Sequence, residues 1–139
     1  MIVDSEKIRG IMGERLEEDF ELIFKTGEKF KEEKKEEIDK EKILSIFIEN
    51  CSFCHNSDEP TENIILDSPQ NILDTTVNKP SSQWYQWLII KSEDAGRSYL
   101  MYKLLGVHGI YGYKMPIGGS LSKEEIKLIE RWIIEGASF

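Results

Sequence analysis

Two cysteines and a histidine fall within five residues, Cys51-Ser52-Phe53-Cys54-His55, and these are the only cysteines in the chain. Four chemistries suit the pattern. A thiol–disulfide redox pair uses C-x-x-C, but it follows a strand in a βαβ unit. No alternating apolar run in this chain is long enough to supply that strand. A structural zinc site would gather Cys51, Cys54, His55 and His108, the chain's only two histidines. Finger-type sites, however, separate their paired ligands by several residues, whereas His55 abuts Cys54. A short-loop disulfide, or two free thiols, is the plain structural alternative. The fourth chemistry is covalent haem attachment, which C-x-x-C-H spells directly. Two intervening residues in a helical turn set the thiols at about the separation of two vinyl groups on neighbouring edges of one porphyrin. The next residue then offers its imidazole to the iron in fixed register with the two tethers.

A haem held this way needs a ligand on its other face, and a loop further on carries a candidate. Met115-Pro116 lies in a stretch punctuated by Gly106, Gly109, Gly112, Gly118 and Gly119. Methionine is a soft axial ligand, and a Met/His pair raises the reduction potential. Pro116 removes a donor and stiffens the backbone beside it. The flanking glycines let the loop approach a flat face closely. His108, in the same loop, is a rival ligand, though alone it reads as a solvent-facing residue. Met101 falls in a helical stretch and reads as core. Met1 and Met12 precede the attachment pattern and carry no such context.

These residues need helices to hold them. Residues 41–50 are apolar at helical period through Ile43, Leu44, Phe47 and Ile48, and lead straight into Cys51. Residues 56–83 are turn-rich and polar, a long loop with a helical piece at 69–75; such a loop usually wraps something. The spacing of Trp84, Trp87, Leu88, Tyr99, Leu100, Tyr102, Lys103 and Leu104 predicts helix over 84–105, interrupted near Ala95-Gly96, and 106–121 reads as loop. Ser122-Lys123-Glu124-Glu125 is a capping box. Ile126, Ile129, Trp132 and Ile133 then form one stripe of a helix, and Gly136 suits its end.

Upstream, Ile8, Ile11, Met12, Leu16, Phe20, Ile23 and Phe24 form a weaker helical pattern over 1–27, capped by Asp4 or Ser5 and ended by Gly27. It reads as an amphipathic helix packed on a core or docked on a partner. Residues 28–42 are a run of alternating charge in which only Phe30 and Ile38 could be buried, a solvated helix or spacer.

Composition bounds the rest. The 139 residues suit one ordinary domain with an appendage, and 40% are apolar. Eighteen basic against 26 acidic residues leave a net charge of −8. Such a surface repels phosphate backbones, which argues against nucleic acid, and it favours cationic partners. No apolar run approaches the roughly 18–20 residues of a membrane span. The opening Met1-Ile2-Val3-Asp4-Ser5-Glu6 has neither a basic n-region nor an apolar h-region and does not read as a signal peptide.

Taken in order, residues 41–139 resemble a class I cytochrome c, with an ending similar to bacterial, planctomycete-type haem c modules. The resemblance rests on Phe47 four residues before Cys51 and on the attachment pattern itself. It continues through Arg97-Ser98-Tyr99-Leu100 and Met115-Pro116-Ile117-Gly118-Gly119. It closes on Leu121-Ser122, Glu125-Ile126, Trp132-Ile133 and Gly136-Ala137. The family implies an all-α fold in which the helix before Cys51 crosses the C-terminal helix, Phe47 near Trp132, around one covalently bound haem c. Residues 1–40 form a charged helical extension outside the cytochrome domain of 41–139. His55 and Met115 would be the axial metal ligands, and Cys51, Cys54, His55 and Met115 together the cofactor-binding residues. Trp84, Tyr85, Trp87 and Arg97 are candidates for the haem propionates, though each reads first as packing or surface.

The implied function is a monohaem one-electron carrier rather than an enzyme. It would exchange electrons with redox partner proteins in a periplasmic or otherwise extracytoplasmic compartment, with its leader absent from this sequence. The rival readings are a haem-based sensor, ligand-binding or peroxidase-like module with a labile or His distal ligand, and a haem subunit of a larger oxidoreductase.

Overall fold

A computed structural model describes residues 2–3, 20–21 and 37–139. The chain divides into two compact units, Met1–Glu36 and Glu37–Phe139. In the first, Ile2–Val3 (β1) pairs antiparallel with Phe20–Glu21 (β2), Val3 opposite Phe20. Phe20 thus belongs to a strand pair, not to the helix expected over 1–27. The remaining residues of that expected helix, and of the charge run as far as residue 36, lie outside the described residues.

The second unit is helical, with four α-helices among its described residues: Lys40–Asn50 (α1), Pro69–Thr76 (α2), Tyr99–Leu105 (α3) and Lys123–Ile134 (α4). Asp39 caps α1, its carboxylate accepting from the Lys42 N–H at 2.9 Å. Ile43, Ile46 and Phe47, spaced three and four apart, face inward, and Ile38 joins the same core just ahead of the cap. Ser68 caps α2, with Pro69 at its first position, where no amide bond is forfeited.

The capping box of α4 is complete. The Ser122 hydroxyl accepts from the Glu125 N–H at 3.2 Å, and the Glu125 carboxylate accepts from the Ser122 N–H at 2.7 Å. Ile129, Trp132 and Ile133 are its buried face. The Phe47 and Trp132 rings meet edge-on, centroids 5.7 Å apart at 67°, so α1 and α4 lock together in the core of this unit. Trp132 packs on Phe139 as well, and its indole N–H donates to the Ser138 carbonyl at 3.0 Å.

Residues 84–94 are not helical, contrary to the helix expected over 84–105. The amides that would bond within a helix bond across a loop instead. Ile89 N–H donates to Lys79 O at 2.8 Å, Ile90 N–H to Thr76 O at 3.1 Å, and Asn78 N–H returns to Ile90 O at 2.7 Å. Single bridges at Val77–Ile90, Pro80–Leu88 and Leu88–Ser98 follow. Trp84 and Trp87 match helical spacing, but they close a turn, Trp87 N–H donating to Trp84 O at 2.8 Å. Helix resumes only after a 3₁₀ turn at Ala95–Arg97, capped by Asp94. No described helix is long and apolar enough to cross a membrane.

Candidate functional site

Cys51 stands where α1 ends, and the chain keeps turning in the same sense. Its carbonyl accepts from the Cys54 N–H at 3.2 Å and from the His55 N–H at 3.0 Å. One turn therefore carries Cys51, Cys54 and His55. Cys51 is half-buried against the core, Cys54 is exposed, and neither is in a disulfide. Burial pushes the Cys51 thiol up to about 11. A thiol–disulfide catalyst needs the opposite, a nucleophile whose pKa is depressed. Among the described residues, no three His, Cys, Asp or Glu side chains converge as a metal-binding group, so Cys51, Cys54, His55 and His108 do not assemble a zinc tetrahedron.

His55 is held at both backbone and ring. Its carbonyl accepts from the Leu66 N–H at 2.7 Å. Its Nδ1 lies 3.1 Å from the Thr61 carbonyl oxygen. A carbonyl can only accept, so the proton of that bond sits on Nδ1, and a neutral ring then carries its free lone pair on Nε2. This is how proteins fix the tautomer and orientation of a ligating imidazole.

The segment that follows is braced throughout. Asn56 Nδ2 donates back to the Ser52 and Phe53 carbonyls at 3.1 Å each, and its Oδ1 accepts from the Asp58 and Glu59 amides at 3.0 Å each. Asp67 accepts from Ser57 N–H at 2.8 Å, from Ser57 Oγ at 2.5 Å and from Asn71 Nδ2 at 2.7 Å. The Asn71 and Ser57 hydrogen bonds hold the Asp67 carboxyl below its usual range. Thr75 Oγ1 ties Ile65 to α2, accepting from its N–H at 3.1 Å.

Met115 stands on a separate segment, the loop after α3. It is half-buried, and its N–H donates to the Lys103 carbonyl at 2.9 Å. His108 lies earlier in the same loop and is exposed. The loop is anchored a second time at Tyr111, whose N–H donates to the Tyr99 hydroxyl at 2.9 Å and whose carbonyl accepts from Lys103 Nζ at 2.6 Å. Burial lowers the Lys103 pKa, and the charge of Glu62 opposes that shift.

Of the remaining candidates, Trp84 and Trp87 pack mainly on other aromatics. Trp87 meets Tyr102 at 4.7 Å and Trp84 meets Tyr99 at 6.0 Å, both edge-on. Arg97 pairs with Asp94 at 3.4 Å, and Tyr85 is exposed. Met101 is core, as its helical position predicts. Sequence reasoning missed three groups: the Thr61 carbonyl, Lys103 and Tyr99. A backbone carbonyl leaves no mark in a sequence. Lys103 does leave one, as the only charge in Tyr99-Leu100-Met101-Tyr102-Lys103-Leu104-Leu105.

Compared with family models, curated proteins and solved structures, the chain gives no match.

Proposed function

We propose that the chain is a monohaem c-type cytochrome of the class I fold, carrying one electron at a time between redox partner proteins outside the cytoplasm. The observation that carries this reading is the His55 bond to the Thr61 carbonyl, on the same turn that presents two unpaired thiols. A histidine with Nδ1 engaged and Nε2 open, next in sequence to those thiols, is the donor set a covalently tethered haem requires. The residues present therefore fit the group.

Cys51 and Cys54 would hold the porphyrin through thioether bonds, and His55 Nε2 would bind its iron. Met115 would offer its thioether from the anchored loop as a second donor, a soft one that favours the reduced metal and raises the potential. When bound, the haem supplies the redox couple, its iron alternating between ferric and ferrous. With His55 and Met115 as the donors this chain would supply, its part would be to hold the haem and tune the potential. The net charge of −8 favours a basic redox partner, met faster at low ionic strength.

The test is the visible spectrum of the protein purified from a host able to attach haem c. A c-type pyridine haemochrome is expected, together with the long-wavelength charge-transfer band of methionine-ligated ferric haem. The reduced protein is expected to leave carbon monoxide unbound at neutral pH. A colourless protein overturns the proposal. A coloured one that lacks the band and takes up carbon monoxide readily is a ligand-binding or peroxidase-like module instead.

A further inference from the structure

The loop that carries Met115 is tied to one short helix through two of that helix's residues. Tyr99 and Lys103 stand four residues apart on α3, which brings them to the same face. Both are buried, Tyr99 at 4% and Lys103 at 7% exposure. Lys103 grips the loop twice. Its ammonium donates to the Tyr111 carbonyl at 2.6 Å, and its own carbonyl accepts from the Met115 N–H at 2.9 Å. Tyr99 takes the Tyr111 N–H at 2.9 Å, so Tyr111 has both backbone groups engaged by α3. The ammonium also reaches Gln83 Oε1 at 3.1 Å and lies 5.8 Å from the centre of the Tyr99 ring.

A buried ammonium is an expensive way to fill space, because desolvation opposes it unless hydrogen bonds compensate. A methionine of similar length would pack there at lower cost. What methionine lacks is the charge-assisted bond to the Tyr111 carbonyl, a strong class of hydrogen bond. Glycines at 109, 112 and 118 all adopt positive φ, so apart from Pro116 the loop's own sequence adds little stiffness.

We infer that Lys103, seconded by Tyr99, is the positioning residue for Met115, and that its grip on Tyr111 sets how readily an external ligand displaces the thioether. This rests on the reading of Met115 as a metal ligand. It adds that the choice between a closed electron carrier and an open ligand-binding site lies in α3, outside the loop itself. An external ligand must first pull Met115 away, and every opening of the loop must break the Tyr111 contacts or strain them.

The experiment titrates the ferric holoprotein with imidazole and follows loss of the methionine charge-transfer band. Lys103→Met keeps the bulk and removes the donor. It is expected to raise imidazole affinity by roughly ten- to a hundredfold, as loss of a charged hydrogen bond implies. Tyr99→Phe removes one neutral acceptor and is expected to raise it roughly three- to tenfold; it keeps the inference testable should Lys103→Met fail to fold. Ile129→Val, a core change on α4, serves as the control: it lowers stability and leaves the affinity unmoved. Hydrogen exchange at the Met115 amide should quicken in the two α3 variants only.

Affinities within about twofold of wild type in both α3 variants, or an equal rise in Ile129→Val, overturn the inference alone. A wild-type ferric protein without the band overturns the reading of Met115 as a ligand, and this inference with it.

Discussion

The turn at 51–55 and the loop at 106–121 present their chemistry in opposite ways. The turn continues a capped helix and is braced from within its own neighbourhood by Asn56, Ser57, Asp67, Asn71 and Thr75. Those bonds come from five residues, so the loss of one leaves the others in place. The loop carries Met115 among glycines and borrows its shape from α3 through Tyr99 and Lys103. A self-braced segment suits a ligand that never leaves. A segment held by two anchor residues suits one whose hold can be tuned. The two halves of the candidate site thus differ in how many independent bonds must fail before the ligand moves.

The most drastic way to break this contrast is to remove the ligand from each half. Under the proposed reading, His55→Ala should abolish stable low-spin haem protein, because the tethers lose the imidazole that registers the iron. Met115→Ala should leave the haem attached, but the reduced protein should then bind carbon monoxide, as its spectrum would report. Equal loss of assembled protein in both variants would show that the halves contribute alike. Next comes Trp132→Ala, beneath the α1 end that leads into the turn. Trp132 is 1% exposed and packs edge-on against Phe47, so its loss should cost about 3–5 kcal/mol in chemical denaturation. It should weaken both halves together, since α1 and α4 underlie them.

Asp67→Asn addresses the turn's bracing alone. The Asp67 carboxyl is held below its ordinary range, chiefly by Asn71 and then by Ser57. A carboxyl lowered in the folded chain stabilises it fully above the ordinary value, and that contribution drains away as pH falls through the lowered one. Asp67→Asn should therefore melt below wild type at neutral pH, and the gap should narrow as the pH is taken below the ordinary carboxyl value of about 3.9. Thermal melts across that range check it; a gap that stays constant with pH would mean the carboxylate braces nothing.

Much of the frame was legible because local signals agreed with tertiary needs. The α4 helix announces itself by Ser122, Glu125 and a stripe through Trp132, and α1 by Ile43, Phe47 and its run into Cys51. The pairing of Phe47 with Trp132 follows from the family resemblance rather than from spacing. The stretch 84–94 misled because Trp84, Trp87 and Leu88 satisfy helical period with only three residues. Three such residues equally fit a turn whose amides bond to 76–81. Phe20 misled in the same way, one residue in a weak stripe that finds a strand partner at Val3. The turn of 51–55 was legible because sequence neighbours are spatial neighbours there. The anchors of the Met115 loop were not, since Tyr99 and Lys103 act from α3 on a segment separated from them by several glycines.

The smallest expected effect is also the most pointed comparison of anchor against chain. Gly118 has φ +76 and follows Met115 by three residues, and a Cβ built there meets no atom within 4 Å. Gly118→Ala therefore adds left-handed backbone strain and no collision, which costs about 1 kcal/mol. Local stiffness beside Met115 changes while both α3 anchors remain. If those anchors position the ligand, the melting temperature drops slightly and imidazole affinity stays within about twofold of wild type. A tenfold change would mean that the loop's own backbone holds Met115. The distinction between a self-braced turn and a borrowed loop would then fall.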